Sequence, residues 1–134
     1  MKDCIFCRII NKEVPSYKIY ENDYVYAFLD IVKDYVGHTL VIPKNHCKNI
    51  LDCNDKDLEE VSKAMKLISN HYVNNCGYDG INITNANNEE ANQSVFHLHF
   101  HIIPRKANDN INPWPFKESE EMDLESIQNQ LKVK

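Results

Sequence analysis

Phe96-His97-Leu98-His99-Phe100-His101-Ile102, followed by Ile103 and Pro104, is the stretch whose reading decides the fold. Side chains alternate across a β-strand, so Phe96, Leu98, Phe100 and Ile102 share one face and His97, His99 and His101 the other. The apolar face reads as core. The other face sets three imidazoles in a row, about 6.6 Å between neighbours at ~3.3 Å rise per residue. A single histidine on such a face is commonly just solvated, but three in register between β-formers ask for more. One ion held by all three is excluded by length: the outer pair lies roughly 13 Å apart along the strand, against ~2 Å for a metal–nitrogen bond. Two adjacent rings could share an ion, which leaves the third needing another task. A third reading is nucleophilic catalysis by imidazole. A neutral imidazole can attack phosphorus if its other nitrogen is held as N–H by an acceptor. Neighbouring rings can then hold phosphate oxygens and assist the leaving group.

Working outward, Val95 to Ile103 is the longest strand candidate, ended by Pro104. Lys18 to Glu21 and Tyr24 to Leu29 read as two strands around Asn22-Asp23. Gly37 precedes a third strand, His38 to Ile42, stopped by Pro43. Cys4 to Asn11 reads as a helical turn, and residues 13–16 as a break. Asn54 is a good N-cap before the acidic turn of Asp55 and Asp57. Leu58, Val61, Met65, Ile68 and Tyr72 recur at helical spacing, predicting one long helix that ends near Asn74-Asn75-Cys76-Gly77. Gly80 to Asn85 alternates as a strand, residues 86–93 form a polar loop, and a short C-terminal helix starts near Asp123. The pattern predicts an α+β fold, an antiparallel sheet of about five strands covered on one face. Three glycines stand against seventeen asparagines, which suggests Asn at turns where Gly is usual.

A length of 134 residues at 43% hydrophobic and 26% charged argues for one folded domain, residues 1–134, rather than a disordered chain. The net charge of -5 disfavours a nucleic-acid-coating role but not a phosphorylated ligand in one pocket. No apolar run is long enough for a membrane span, and Arg8, Asn11 and Lys12 interrupt the N-terminus too early for a signal segment. A cytoplasmic protein is the default expectation. Five cysteines do not read as a complete disulfide framework. Cys47, Cys53 and Cys76 are expected to carry no chemistry. Cys4 and Cys7 form a C-x-x-C that could be two buried small side chains or half of a metal site. A thioredoxin-type pair is poor without a βαβ pattern around it.

The run His97-Leu98-His99-Phe100-His101-Ile102-Ile103 resembles the signature of the histidine triad family, alternating His and apolar residues. Gln93-Ser94-Val95-Phe96 resembles the segment the family places before its triad, with Asn92 where the family has Gly. Gly37-His38-Thr39-Leu40-Val41-Ile42-Pro43-Lys44-Asn45-His46 resembles its central strand, Ala27-Phe28-Leu29-Asp30-Ile31 its ribose-contacting strand end, and Ile5-Phe6-Cys7-Arg8-Ile9-Ile10 with Glu13-Val14-Pro15 its opening. The likeness covers residues 4–105 in order and spacing, and is nearest the Hint-like and bacterial Hit branch. Residues 106–134 are a tail.

The resemblance implies a two-fold dimer of this fold. It further implies a nucleotidyl hydrolase or transferase that cleaves AMP-type purine nucleoside monophosphates from small leaving groups through a covalent nucleotidyl-histidine. A diadenosine polyphosphate hydrolase and a nucleotide-binding regulatory protein are the alternatives. It makes His99 the nucleophile and His101 the group that contacts the α-phosphate and assists departure. His38, His97 and Ser94 complete the catalytic set, with Ser94 a donor to phosphate or leaving group. Asp30 would accept from the ribose hydroxyls, and Phe6, Ile9, Val14, Ile31 and Leu40 would line the base and sugar pocket. Gln93, Asn85 and Asn87 are further nucleotide-binding candidates, although the family's N-x-G before the triad is here Asn85-Ala86-Asn87. Some members with the C-x-x-C opening carry zinc, and the matching residues are Cys4, Cys7, His46 and His97. A structural zinc would position His97, which then has no direct chemical step, and the chemistry itself would need no cofactor. His71 is expected at the surface without function.

Asn112-Pro113-Trp114-Pro115-Phe116 is an apolar knot in a polar tail. A Trp between prolines cannot sit inside a helix or a central strand. It either folds back on its own core or reaches a partner subunit and helps wall the partner's active site.

Overall fold

The computed structural model describes residues 3–114 and 116–133. Its elements run α1 (Ile5–Ile10), β1 (Lys18–Glu21), β2 (Val25–Leu29), β3 (Thr39–Pro43), α2 (Asp55–Asn75), β4 (Gly80–Thr84), a 3-10 turn (Glu89–Ala91), β5 (Phe100–Arg105) and α3 (Leu124–Leu131). The strands form one antiparallel sheet in the order β1-β2-β3-β5-β4. The expected α+β architecture is present.

Local chemistry sets the boundaries. The Asn22 carboxamide oxygen accepts from the backbone N–H groups of Tyr24 and Val25, each at 2.9 Å, and turns β1 into β2. Asn54 caps α2 through its side-chain oxygen, 2.8 Å from the Asp57 N–H. Asn88, Asn92, Asn108 and Asn110 all take positive φ, the use expected from the Asn-for-Gly imbalance. Asn92 is left-handed at φ 70°, a conformation that glycine adopts freely and asparagine tolerates.

Two apolar layers sandwich the sheet. Val61, Ala64, Ile68 and Tyr72 of α2 pack on Val25, Ala27, Val41, Phe100 and Ile102. On the opposite face, α1 brings Phe6 and Ile9 against Tyr26, Phe28, Leu40 and Ile42. The sheet is therefore covered on both faces at its centre, not on one, and β2 and β3 are near-continuous apolar runs for that reason. A fully buried side chain such as Ile42 or Ile68 contributes about 1.5–3 kcal/mol.

The histidine strand is shorter than expected. β5 starts only at Phe100 and runs through Pro104 to Arg105. Residues 95–97 bend, and the Leu98 N–H is taken by the Cys47 carbonyl at 2.9 Å instead of a sheet ladder. Because the bend breaks the alternation, Phe96 is 45% exposed and is not part of the core face, whereas Leu98, Phe100 and Ile102 are buried as expected. Pro104 fits inside a strand because β3 pairs β5 only as far as Ile102, so its missing N–H faces no partner on that side. Gly37 abuts that proline: a Cβ there would meet Pro104 Cγ at 2.8 Å, and its φ of +80° favours glycine independently.

In the tail, Asp123 caps α3, and none of the residues of α3 is buried. Trp114 is 73% exposed and Phe116 86%. Within this one chain the aromatic knot does not return to its own core; Pro115 lies outside the described residues.

Candidate active site

His99 sits where the bent segment enters β5. Its Nδ1 lies 2.8 Å from the His97 carbonyl oxygen. A carbonyl only accepts, so Nδ1 carries the proton and Nε2 keeps its lone pair. Burial pushes the His99 pKa down, against the opposing pull of that carbonyl and of Asp30, which favours the neutral ring. Asn85 donates from Nδ2 to the His99 carbonyl at 2.9 Å, and the Phe6 ring meets the imidazole edge-on at 5.2 Å.

Both His99 and His101 line a cavity of about 320 Å³. Phe6, Ile9, Val14, Ile31 and Leu40 supply apolar wall, and Ser16, Asp30 and Ser94 join the two histidines as its polar groups. Phe28 and Val95 also line it, and the sequence reading did not single them out; Phe28 follows from strand alternation with Tyr26 once the covered faces are known. Asn85, Asn87 and Gln93 lie outside the wall. Asn87 accepts from the Ile50 N–H at 2.8 Å and donates to Asn85 Oδ1. The buried Gln93 carboxamide donates to the Lys48 and Val95 carbonyls at 2.7 and 3.0 Å and accepts from the Asn88 N–H at 2.8 Å, which fixes the loop that carries Ser94.

Behind the wall lies a chain of charged and titratable groups. His38 Nε2 is 2.8 Å from His101 Nδ1, and His38 Nδ1 is 2.9 Å from Asp34 Oδ1. Asp30 Oδ2 stands 3.8 Å from His38 Nε2. Burial, followed by the neighbouring imidazoles of His99 and His38, pushes the His101 pKa down to about 4. Burial raises the Asp34 carboxyl, but hydrogen bonds from His38 and from its neighbouring backbone hold it below the usual carboxylate range. Asp34 was not among the residues singled out from the sequence; an aspartate in a surface loop has no periodic signal.

His97 belongs to a different cluster. Its Nε2 donates to the Pro43 carbonyl at 2.8 Å, which leaves Nδ1 with a buried lone pair. Around that nitrogen stand Cys4 Sγ at 3.3 Å, Cys7 Sγ at 3.5 Å and His46 Nδ1 at 3.1 Å, and Cys7 Sγ is 3.4 Å from His46 Nδ1. Ligand bonds of ~2.0–2.3 Å in a tetrahedron place ligand atoms about 3.3–3.8 Å apart, so the four donors are spaced to hold one tetrahedral ion. Two of them come from one turn: Cys4 caps α1, its sulfur accepting from the Cys7 N–H at 3.4 Å. Asp30, His38 and His101 also converge, but the contact between His38 and His101 is already filled by a proton.

Residues 11–108 match the HIT domain family. The chain is 54% identical over 127 residues to an uncharacterized HIT-like protein of Borreliella burgdorferi, covering 93% of this chain and 89% of the relative. It is 37% identical over 140 residues to the adenosine 5'-monophosphoramidase of Saccharomyces cerevisiae, covering 98% and 82%. Among solved structures, a Zn-bound histidine triad family protein from Mycobacterium smegmatis superposes with a TM-score of 0.79 at 30% identity, covering 87% of this chain and 85% of that one.

Proposed function

Because this chain belongs to the HIT family, we propose that it is a nucleotide hydrolase whose His99 takes up a purine nucleoside monophosphate as a covalent phosphoramidate and passes it to water or another small acceptor. The observation that carries this reading is the His99 ring itself: Nδ1–H on the His97 carbonyl, and the remaining nitrogen on a ring that lines a cavity with an apolar wall and one carboxylate. Base and sugar would lie against Phe6, Ile9 and Leu40, the ribose hydroxyls on Asp30, and the α-phosphate between His99, His101 and Ser94. In-line attack forms the Nε2–P bond as the leaving group departs with a proton. Water then breaks that bond. The developing charge is met by imidazoles and hydroxyl, so the chemistry asks for no cofactor. The similarity to an adenosine 5'-monophosphoramidase supports an adenylate bonded to an amine as substrate.

Zinc is proposed at Cys4, Cys7, His46 and His97 in a structural role. Support comes from the bare, buried Nδ1 of His97 and the tetrahedral spacing around it, and from the Zn-bound relative. When bound, the ion would supply a cross-link between α1, the end of β3 and the triad segment. A two-fold dimer is proposed as well, with Trp114 against the partner, supported by its exposure in the single chain. Sedimentation at twice the 15.7 kDa chain mass is the expected result.

The decisive experiment is turnover of an adenosine 5'-phosphoramidate by wild type and His99→Ala. Turnover is expected to fall by several orders of magnitude while AMP still binds, and acid-quenched wild type should carry adenylate on His99. More than a tenth of the wild-type rate in His99→Ala would overturn the assignment.

A further inference from the structure

Three of the four ring nitrogens of the His38–His101 pair have a definite partner, and the partners decide where the protons go. Asp34 Oδ1, a carboxylate, only accepts. At 2.9 Å it holds the proton of His38 on Nδ1. His38 Nε2 is then a lone pair, and the single proton in the 2.8 Å contact belongs to His101 Nδ1. That leaves His101 Nε2 as the nitrogen free to meet a ligand, on a ring that lines the cavity. With the pair neutral, this nitrogen carries no proton and would meet an anionic phosphate lone pair to lone pair. Asp30 pulls the other way: its Oδ2 is 3.8 Å from His38 Nε2 and favours a proton there. The shorter contact to Asp34 wins. The titratable groups around the pair are Asp30, Asp34, Tyr35 and His99.

We propose that Asp34 is a positioning residue that forces the neutral His38–His101 pair to present an unprotonated Nε2 to the cavity, so that a nucleotide phosphate binds with uptake of one proton by the pair. The proposal rests on the hydrolase reading above. It also closes the proton account of that reaction. The proton taken up sits on His101 Nε2 and leaves with the departing amine as the P–N bond breaks and the His99–P bond forms. The now bare Nε2 accepts a proton from the water that attacks phosphorus and releases His99. The same nitrogen is acid in one half and base in the other, and Asp34 holds His38 in one orientation throughout.

The test uses the methyl ester of AMP, whose single negative charge does not titrate near neutrality. Calorimetry at pH 7 in two buffers of different ionisation enthalpy should show wild type taking up close to one proton per ester bound, with affinity weakening by up to about tenfold per pH unit above neutrality. In Asp34→Ala, Asp30 draws the His38 proton to Nε2. His101 Nε2 then carries a proton in the neutral pair, so uptake should vanish and affinity should vary less than about twofold over the same range. Asp34→Asn, which keeps an acceptor oxygen in place, should restore uptake. Nitrogen-15 spectra of the free proteins read the tautomer directly: His38 Nδ1–H in wild type and Asp34→Asn, Nε2–H in Asp34→Ala. Equal proton uptake and an unchanged His38 tautomer in Asp34→Ala would overturn the proposal. A wild type that turns over no adenylate overturns the hydrolase reading instead, and the tautomer of the free protein still decides the hold of Asp34 on His38.

Discussion

His97 and His101 are four residues apart in one segment, yet their rings live in opposite surroundings. His97 is fully buried among two thiols and a second imidazole, with its Nε2 proton held by a backbone carbonyl. Nothing in that cluster faces the cavity wall through His97 itself. His101 lines the cavity and leans on His38, Asp34 and Asp30. On the proposed function, one end of the row would hold a cation in place and the other would move a proton. His99, between them, is oriented by the first end through the His97 carbonyl and shares the cavity with the second. Residue type is the same at both ends; the partners of the ring nitrogens make the difference.

The largest expected effect separates the two ends by what is lost. His101→Ala should lower kcat on an adenosine phosphoramidate by about 10²–10⁴-fold, the usual range for a general acid, and leave metal content near one zinc per chain. His97→Ala should do the reverse in kind: zinc is lost and Tm falls by roughly 10 °C, as for about 3 kcal/mol in a chain of this size. Chelation of wild type should lower Tm similarly, since a structural metal binds the native state alone. Zinc-free wild type of unchanged Tm would remove the distinction between the ends. Metal analysis and thermal melts on both variants check all three.

A smaller effect concerns Asp30, on the cavity side. A carboxylate left without its ribose hydroxyl in a closed site costs about 1–3 kcal/mol. Wild type should therefore prefer AMP to dAMP by about tenfold or more, and Asp30→Ala should lose that preference. Equal wild-type affinities for the two nucleotides would detach Asp30 from the sugar.

The last effect is on stability against pH. The folded His101 pKa is about 4, below its ordinary value of 6.5, because of burial and neighbouring imidazoles. Between those values the unfolded chain binds a proton that the folded chain does not, so stability falls as pH drops from 6.5 to about 4 and loses nothing more from this group below that. His101→Phe should flatten that part of the slope in urea titrations across this window. An identical slope would place the acid sensitivity elsewhere.

Much of this arrangement is legible in one dimension. Helical spacing from Leu58 to Tyr72 and the Asn54 cap define α2 within a residue, because amphipathic periodicity and capping are local. The alternation of Leu98, Phe100 and Ile102 marks one core face correctly. Its extension back to Phe96 fails because a bend is made by a distant acceptor, the Cys47 carbonyl. Asn85, Asn87 and Gln93 carry the same polar signal as a ligand contact, yet their amide groups are engaged with backbone and with one another, outside the cavity wall. A hydrogen-bonding side chain does not announce its partner.

The sequence by itself determined which segments are helical and which extended, the apolar periods and, through the resemblance, the identity of the histidines and thiols. Only the tertiary structure decided what each histidine can do. An imidazole becomes a nucleophile, a proton relay or a metal ligand according to which nitrogen keeps its proton. That is set here by acceptors far along the chain: Pro43 for His97 across 54 residues, and His38 with Asp34 behind it for His101 across 63. Those contacts exist only once β3 has paired with β5.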